Sequence, residues 1–205
     1  MSVMIPDLEG YFRQFAPPRE DLLLELEQEA AAEGIPIVGP VVGRLLYLLG
    51  RAVQARTILE LGTATGYSTI FLARSVPAPG GRVVTLERDQ TLARRAAVNF
   101  QRAGLEAQVD LQVGEAAILL PALVGPFDLI FMDIDKEGYL EALPHCRRLL
   151  RGGGLLVADN VAFQGAAPFN RAIWESPDWC AVPLLCHLPG HSPERDGLCL
   201  ALRLE

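Results

Sequence analysis

Several residue types and patterns are scarce in this 205-residue sequence, and each scarcity excludes a class of protein. The four cysteines (Cys146, Cys180, Cys186 and Cys199) form no C-x-x-C pair, so we expect them to be reduced and structural. No apolar run reaches the roughly 18 residues that cross a bilayer. Residues 1–9 lack the basic and apolar regions of a secretion signal. These absences predict a cytoplasmic protein without membrane contact.

Histidine and positive charge are also limited. None of His145, His187 and His191 has a partner at metal-ligand spacing, so we expect these side chains to be packed in the core or to lie on the surface. The formal net charge of −7 argues against a large nucleic-acid footprint. A nucleic-acid-binding role would therefore need a local basic patch.

The hydrophobic pattern predicts an α/β protein. Short apolar segments alternate with segments of helical period, which is typical of a parallel sheet covered on both faces. Expected strands are Thr57–Leu61, Arg82–Glu87, Gln108–Val113, Phe127–Asp133 and Gly154–Asp159, with helices near Tyr67–Ser75, Gln90–Ala103, Ala116–Leu123 and Gly138–Arg151. Two further strands, Ala181–Leu188 and Gly197–Leu204, are expected to form an antiparallel, hairpin-like end.

The length predicts a single domain over residues 1–205. Residues 57–205 would form the α/β core, and residues 1–56 an N-terminal helical extension. Within that extension, helices are expected at Arg19–Glu33 and near Val41–Gln54. Residues 35–40 contain two prolines and are expected to form an extended link.

The most informative segment runs from Thr57 to Ser68. It reads as a strand carrying Glu60, then Gly62-x-x-x-Gly66, then the start of a helix. Glycine allows a tight turn and a close approach of ligand to backbone. A carboxylate repels phosphate but attracts an ammonium group, which favours S-adenosylmethionine over NAD or ATP. The glycines alone leave an NAD-dependent oxidoreductase open as an alternative.

Further acids fall at the predicted carboxyl ends of strands, where open α/β sheets bind ligands. Glu87 ends the second strand and is predicted to accept hydrogen bonds from the ribose hydroxyls of an adenosine. Gly114, Glu115 and Ala116 follow the third strand and are expected to meet the adenine edge through their backbone.

A second group of polar residues predicts a cation site. Asp133 follows the fourth strand, and Asp159 and Asn160 follow the fifth, which is its expected neighbour. Two carboxylates and an amide oxygen are hard ligands that suit Mg²⁺, with Ca²⁺ and Mn²⁺ as alternatives. Lys136 lies beside them, where a partly desolvated lysine could act as a general base.

Taken together, these residues resemble the cation-dependent O-methyltransferases of the catechol and caffeoyl-CoA type, within the class I S-adenosylmethionine-dependent methyltransferases. The resemblance extends from Pro17 to Leu204. The segments that carry it are Ile58–Ser68, Phe127–Lys136, Ala158–Val161 and Asp196–Leu198.

This resemblance implies a Rossmann-like, doubly wound sheet of seven strands, with the last strand antiparallel, and a homodimer. It also implies roles for individual residues. Glu60 would hold the methionine amino group, Ser68 the methionine carboxylate, and Val38 would close over that end of the cofactor. Asp133 and Lys136 would be catalytic.

The implied reaction is methyl transfer to a hydroxyl of a small catechol or phenolic acceptor. Glu137-Gly138 replaces the acid-Asn pair that many members have, and the segment 161–170 is short where larger members carry a substrate-covering insertion; both departures concern the acceptor and not the cofactor. The alternative is a tRNA 5-hydroxyuridine methyltransferase, whose phosphate contacts would come from arginines at 13, 19, 44, 51 and 56. A binding protein that retains the nucleoside pocket without catalysis is a third reading.

Overall fold

The computed structural model describes residues 3–205, and its centre is a seven-stranded sheet. The strands are β1 (Thr57–Leu61), β2 (Arg82–Glu87), β3 (Val109–Val113), β4 (Phe127–Met132), β5 (Leu150–Ala158), β6 (Trp179–His187) and β7 (Arg195–Arg203). Their order is β3-β2-β1-β4-β5-β7-β6. Only β7 runs opposite to the others, since it is antiparallel to both of its neighbours. The predicted fold, including the antiparallel end, is confirmed.

Eight α-helices surround this sheet in the described chain. They are α1 (Leu8–Arg13), α2 (Asp21–Glu33), α3 (Gly39–Ala52), α4 (Tyr67–Ser75), α5 (Gln90–Arg102), α6 (Ala116–Leu119), α7 (Tyr139–Leu149) and α8 (Ala167–Glu175). Short 3₁₀ turns precede α7 and α8 and follow α6. None of the helices within residues 3–205 is long and apolar enough to cross a membrane.

The central strands are buried on both faces, as a parallel sheet between helices requires. Along β4, Ile130 and Met132 pack in the core on one face, while Leu129 and Phe131 pack in the core on the other. This alternation follows from the two-residue repeat of a strand. It explains why β4 reads in sequence as a continuous apolar run.

The N-terminal helices contribute unequally to this core. Leu23 and Leu26 of α2, with Val42 and Leu46 of α3, are buried in the same hydrophobic cluster as the sheet residue Ile58. Helix α1, by contrast, buries no residue. The extension predicted for residues 1–56 therefore contains two helices that complete the core and one that lies on the surface.

The structure departs from the predicted elements in several places. The helix expected at 116–123 is α-helical only to Leu119 and continues as a 3₁₀ turn, because Pro121 lacks a backbone N–H. Strand β5 begins at Leu150, not Gly154, with a register irregularity against β4. Helices α1 and α8 were not predicted, although Phe169 and Ile173 lie four residues apart on the buried side of α8.

Candidate active site

One cavity of about 550 Å³ opens at the carboxyl ends of the central strands. It lies where the strand order reverses, between β1 and β4, which is the usual ligand position in open α/β sheets. Of the thirteen residues predicted for the site, eleven line this cavity: Val38, Gly62, Ser68, Glu87, Gly114, Glu115, Ala116, Asp133, Lys136, Asp159 and Asn160. The fold therefore gathers residues that are up to 122 positions apart in sequence.

The loop after β1 passes very close to the loop after β4. Gly62 has a φ of +96°, and a Cβ at this position would lie 2.1 Å from the carbonyl oxygen of Asp133. Only glycine satisfies both the backbone conformation and the contact. This contact brings the glycine loop against the segment that carries Asp133 and Lys136.

Glu87 is held in place by backbone donors. One carboxylate oxygen accepts hydrogen bonds from the N–H groups of Thr63 (3.2 Å) and Ala64 (2.7 Å), and the other from Asp89 (2.9 Å). Each carboxylate oxygen can accept more than one hydrogen bond. Glu87 can therefore receive further donors from a ligand in the cavity, such as the hydroxyls of a ribose.

Glu60 is placed differently from the sequence-based assignment. Its side chain is fully buried and does not line the cavity. The carboxylate accepts hydrogen bonds from the hydroxyls of Ser68 (2.6 Å), Thr69 (2.5 Å) and Thr85 (2.6 Å). Of Glu60 and Ser68, only Ser68 lines the cavity, and the contact of Glu60 with a methionine amino group stays a prediction.

Gly66 is also absent from the cavity wall in the described residues. Its φ is +89°, and an added Cβ would lie 2.5 Å from the ring of Phe100. Gly66 is thus required by a left-handed turn and by close packing against α5. Its expected role at the cofactor stays a prediction.

Asp133, Asp159 and Asn160 meet on one side of the cavity. Burial and the neighbouring charge of Asp159 raise the pKa of Asp133, although Lys136 opposes both effects. The Lys136 Nζ lies 2.7 Å from Asp133 Oδ1 and 3.0 Å from the Ile134 carbonyl oxygen. The two neighbouring carboxylates repel each other, and only Asp133 is hydrogen-bonded to the Lys136 ammonium group, so the pair would gain from a further positive charge.

The donor chemistry fits a hard divalent cation. The Nδ2 of Asn160 donates to Asp196 Oδ2 at 2.6 Å, which leaves the amide oxygen free of this contact. Asp133 and Asp159 supply carboxylate oxygens, so three oxygen donors face one cavity. Residues 3–205 contain no group of three or more His, Cys, Asp or Glu side chains placed to share an ion. The candidate cation site contains only two residues of these types, Asp133 and Asp159, because its third ligand, Asn160, is an amide.

Two residues at this site were missed or misplaced by the sequence reasoning. His191 was expected in packing or on the surface, but its Nε2 lies 2.8 Å from Asp159 Oδ2 inside the cavity wall. Burial alone would lower the pKa of His191, yet the hydrogen bond and charge of Asp159 outweigh this effect and raise it. Asp196 is fully buried and orients Asn160. No local pattern marks either contact, since 32 and 36 positions separate the partners.

A compositional signal for Lys136 was available in the sequence. Of the 18 basic residues, 17 are arginines, and Lys136 is the single lysine. An arginine remains protonated in proteins, whereas a lysine can release its proton. The one position where lysine occurs is therefore the one predicted to need an amine that can accept a proton.

Known proteins resemble this chain along most of its length. The family model described as O-methyltransferase matches residues 17–171. A catechol O-methyltransferase of Niastella koreensis is 46% identical over an alignment of 189 residues, and the alignment covers 82% of this chain and 82% of the relative. The chain belongs to the O-methyltransferase family. The sequence-based predictions of this family and of an S-adenosylmethionine-dependent O-methyltransferase are thereby confirmed.

Other family members support the same assignment. A catechol O-methyltransferase of Mycobacterium tuberculosis is 50% identical over 120 residues, which are 58% of this chain and 54% of the relative. An O-methyltransferase from Bacillus cereus, solved with S-adenosylhomocysteine, has a TM-score of 0.85 at 33% identity and covers 96% of each chain. An O-methyltransferase of tomaymycin synthesis from Streptomyces achromogenes, solved with S-adenosylmethionine, has a TM-score of 0.87 at 32% identity, covering 97% of this chain and 96% of that one.

Proposed function

We propose that this O-methyltransferase transfers the methyl group of S-adenosylmethionine to a hydroxyl of a small catechol or phenolic acceptor with the help of a divalent cation. The observation that carries the proposal is the convergence of Asp133, Lys136, Asp159 and Asn160 on the cavity that also contains the glycine loop and Glu87. The names of the two catechol O-methyltransferase relatives support the catechol acceptor.

The cofactor would lie along the loops after β1, β2 and β3. Glu87 would accept hydrogen bonds from the ribose, and the backbone of 114–116 would flank the adenine. Val38 and Ser68 would surround the methionine end, with Glu60 acting through the Ser68 hydroxyl. In this arrangement the sulfonium methyl group would face Asp133 and Lys136.

The polar residues after β4 and β5 would act on the acceptor. Asp133, Asp159 and Asn160 would hold Mg²⁺, or alternatively Ca²⁺ or Mn²⁺, which as a Lewis acid would favour the ionised hydroxyl of a bound acceptor. Lys136 would accept the hydroxyl proton. The cofactor, when bound, would supply the methyl group: its carbon–sulfur bond would break as the acceptor oxygen bonds to the methyl carbon, with S-adenosylhomocysteine as the neutral product.

The experiment is a methyl-transfer assay with labelled cofactor and a panel of catechols, with monophenols as matched acceptors. We expect EDTA to abolish transfer and added Mg²⁺ to restore it. Calorimetry should show unchanged binding of S-adenosylhomocysteine in both conditions. Undiminished transfer in EDTA would disprove the cation role, and transfer to monophenols at the same rate would show that the acceptor needs only one hydroxyl and is phenolic in general.

The tRNA alternative is not retained, because no observation favours it. Arg13 and Arg19, two of the arginines it requires, pair with Glu194 and Glu27. The homodimer and the cytoplasmic location stay predictions from the sequence.

A further inference from the structure

The turn between β6 and β7 brings a buried histidine onto a candidate cation ligand. The His191 side chain is 1% exposed. Its Nδ1 lies 2.6 Å from the carbonyl oxygen of Pro193, and its Nε2 lies 2.8 Å and 3.1 Å from the two carboxylate oxygens of Asp159. Because a carbonyl can only accept a hydrogen bond, Nδ1 donates to Pro193, and Nε2 is the ring atom directed at Asp159.

This turn is anchored on both sides, so the imidazole has a defined position. Glu194 pairs with Arg13 and accepts a hydrogen bond from the Gly190 N–H at 2.9 Å. On the other side, a Cβ on Gly39 would lie 2.3 Å from the carbonyl oxygen of Gly190. The turn therefore packs tightly against the start of α3.

The contact determines how Asp159 faces the cavity. Asp159 Oδ1 accepts the backbone N–H of Asn160 at 2.9 Å, while Oδ2 has His191 as its closer contact. Both carboxylate oxygens are thus held in place by close polar contacts and retain lone pairs for a further ligand. The neighbouring ligand Asn160 is oriented in the same way by Asp196, which also comes from the end of the chain.

We propose that His191 is a positioning residue that fixes the Asp159 carboxylate for cation binding. This inference rests on the proposed cation site. Groups that orient metal ligands typically change metal affinity by about 10- to 100-fold when they are removed. The loss should fall on the cation and not on the cofactor, because His191 contacts Asp159 and makes no hydrogen bond to Glu87 or the glycine loop.

The test measures Mn²⁺ binding to the full chain by electron paramagnetic resonance, without acceptor and without turnover. His191→Phe keeps a ring but removes both ring nitrogens, and we expect about a 10-fold or greater loss of Mn²⁺ affinity. His191→Gln places an amide N–H near the position of Nε2 and should recover much of that affinity. Calorimetry with S-adenosylhomocysteine should give a Kd within about twofold of wild type for both variants.

His187→Phe is the matched control. His187 ends β6, and neither of its ring nitrogens has a hydrogen-bond partner in the described chain. The same chemical change there should leave Mn²⁺ affinity at the wild-type value.

The outcomes separate the inference from the proposed function. Wild-type protein that binds no Mn²⁺ would overturn both. Tight Mn²⁺ binding by wild type and by His191→Phe alike would overturn only the positioning role. A parallel loss of S-adenosylhomocysteine affinity and thermal stability in both His191 variants would show a purely structural role and would also overturn it.

Discussion

At the scale of single residues, Lys136 has the most specific predicted role. Its Nζ is within hydrogen-bonding distance of Asp133, and the chain contains no other lysine. A charge that only pairs with Asp133 could equally be supplied by arginine, of which the chain has 17. A general base, in contrast, requires a group that can lose its proton.

Lys136→Met and Lys136→Arg distinguish these two roles. We expect kcat to fall by roughly 10²- to 10⁴-fold in both variants, because neither side chain can accept the acceptor's proton. Binding of S-adenosylhomocysteine, measured by calorimetry, should remain close to wild type. High activity in Lys136→Arg would show that Lys136 supplies only charge.

Burial of the Glu60 carboxylate makes the stability of the folded protein depend on pH. Burial raises the pKa of Glu60 from 4.5 to about 7, even though three hydroxyls donate hydrogen bonds to it. The folded state therefore holds this proton more tightly than the unfolded state does. Its contribution to stability is complete below about pH 4.5 and is lost as the pH rises to about 7.

Glu60→Gln should remove this pH dependence. Relative to wild type, the variant is expected to gain free energy of unfolding on the order of 2–3 kcal/mol between pH 4.5 and pH 7.5. Urea unfolding of both proteins at the two pH values measures the difference, and other titrating groups cancel in the comparison. A difference that does not change with pH would show that folding leaves the pKa of Glu60 unchanged.

At the scale of elements, two glycines with nearly the same backbone conformation have different surroundings. Gly34 ends α2 with φ +69° and has no atom within 4 Å of an added Cβ. Gly39 begins α3 with φ +65°, but its added Cβ would meet the Gly190 carbonyl. Substituting each glycine by alanine would therefore measure two costs separately: that of a left-handed backbone alone at Gly34, and that of the same backbone plus a steric contact at Gly39.

Gly34→Ala is expected to reduce the free energy of unfolding by about 1 kcal/mol, from the backbone alone. Gly39→Ala should add roughly 1–3 kcal/mol to that loss, because the turn that carries His191 must move away. Urea denaturation of the two variants measures the difference. Equal losses would show that the turn is free to shift.

At the scale of the whole molecule, the N-terminal helices test where the domain begins. Removing residues 1–16 should change the free energy of unfolding by less than about 1 kcal/mol, since α1 buries no residue and its ion pair with Glu194 is exposed. Removing residues 1–56 also deletes Leu23, Leu26, Val42 and Leu46 from the core. Each such loss amounts to about 2–5 kcal/mol, and the four together, about 8–20 kcal/mol, are as large as the roughly 5–15 kcal/mol that stabilises a typical domain.

Circular dichroism and urea unfolding would follow both truncations. We expect a cooperative transition for 17–205 and no folded state for 57–205. A stable fragment 57–205 would show that the extension is a separate unit and not a part of the core.

Much of the fold was predictable because the strands are short, apolar and regularly spaced. Runs such as Phe127–Met132 have to be buried on both faces, which only a covered parallel sheet provides. Element boundaries were less predictable. The glycines at 152–154 suggested a loop, yet β5 begins at Leu150 because Leu150 pairs with Phe127 of β4.

The sequence by itself determined the kind of chemistry: hard oxygen ligands, one lysine, and glycines at the ends of apolar strands, in a pattern that resembles one enzyme family. Only the tertiary structure decided which of these groups reach the cavity. Glu60 lies on β1 and Glu87 on the neighbouring strand β2. Glu60 is enclosed by hydroxyl groups, whereas Glu87 lines the cavity. His191 reaches Asp159 because β7 inserts beside β5, a long-range contact that leaves no trace in local spacing.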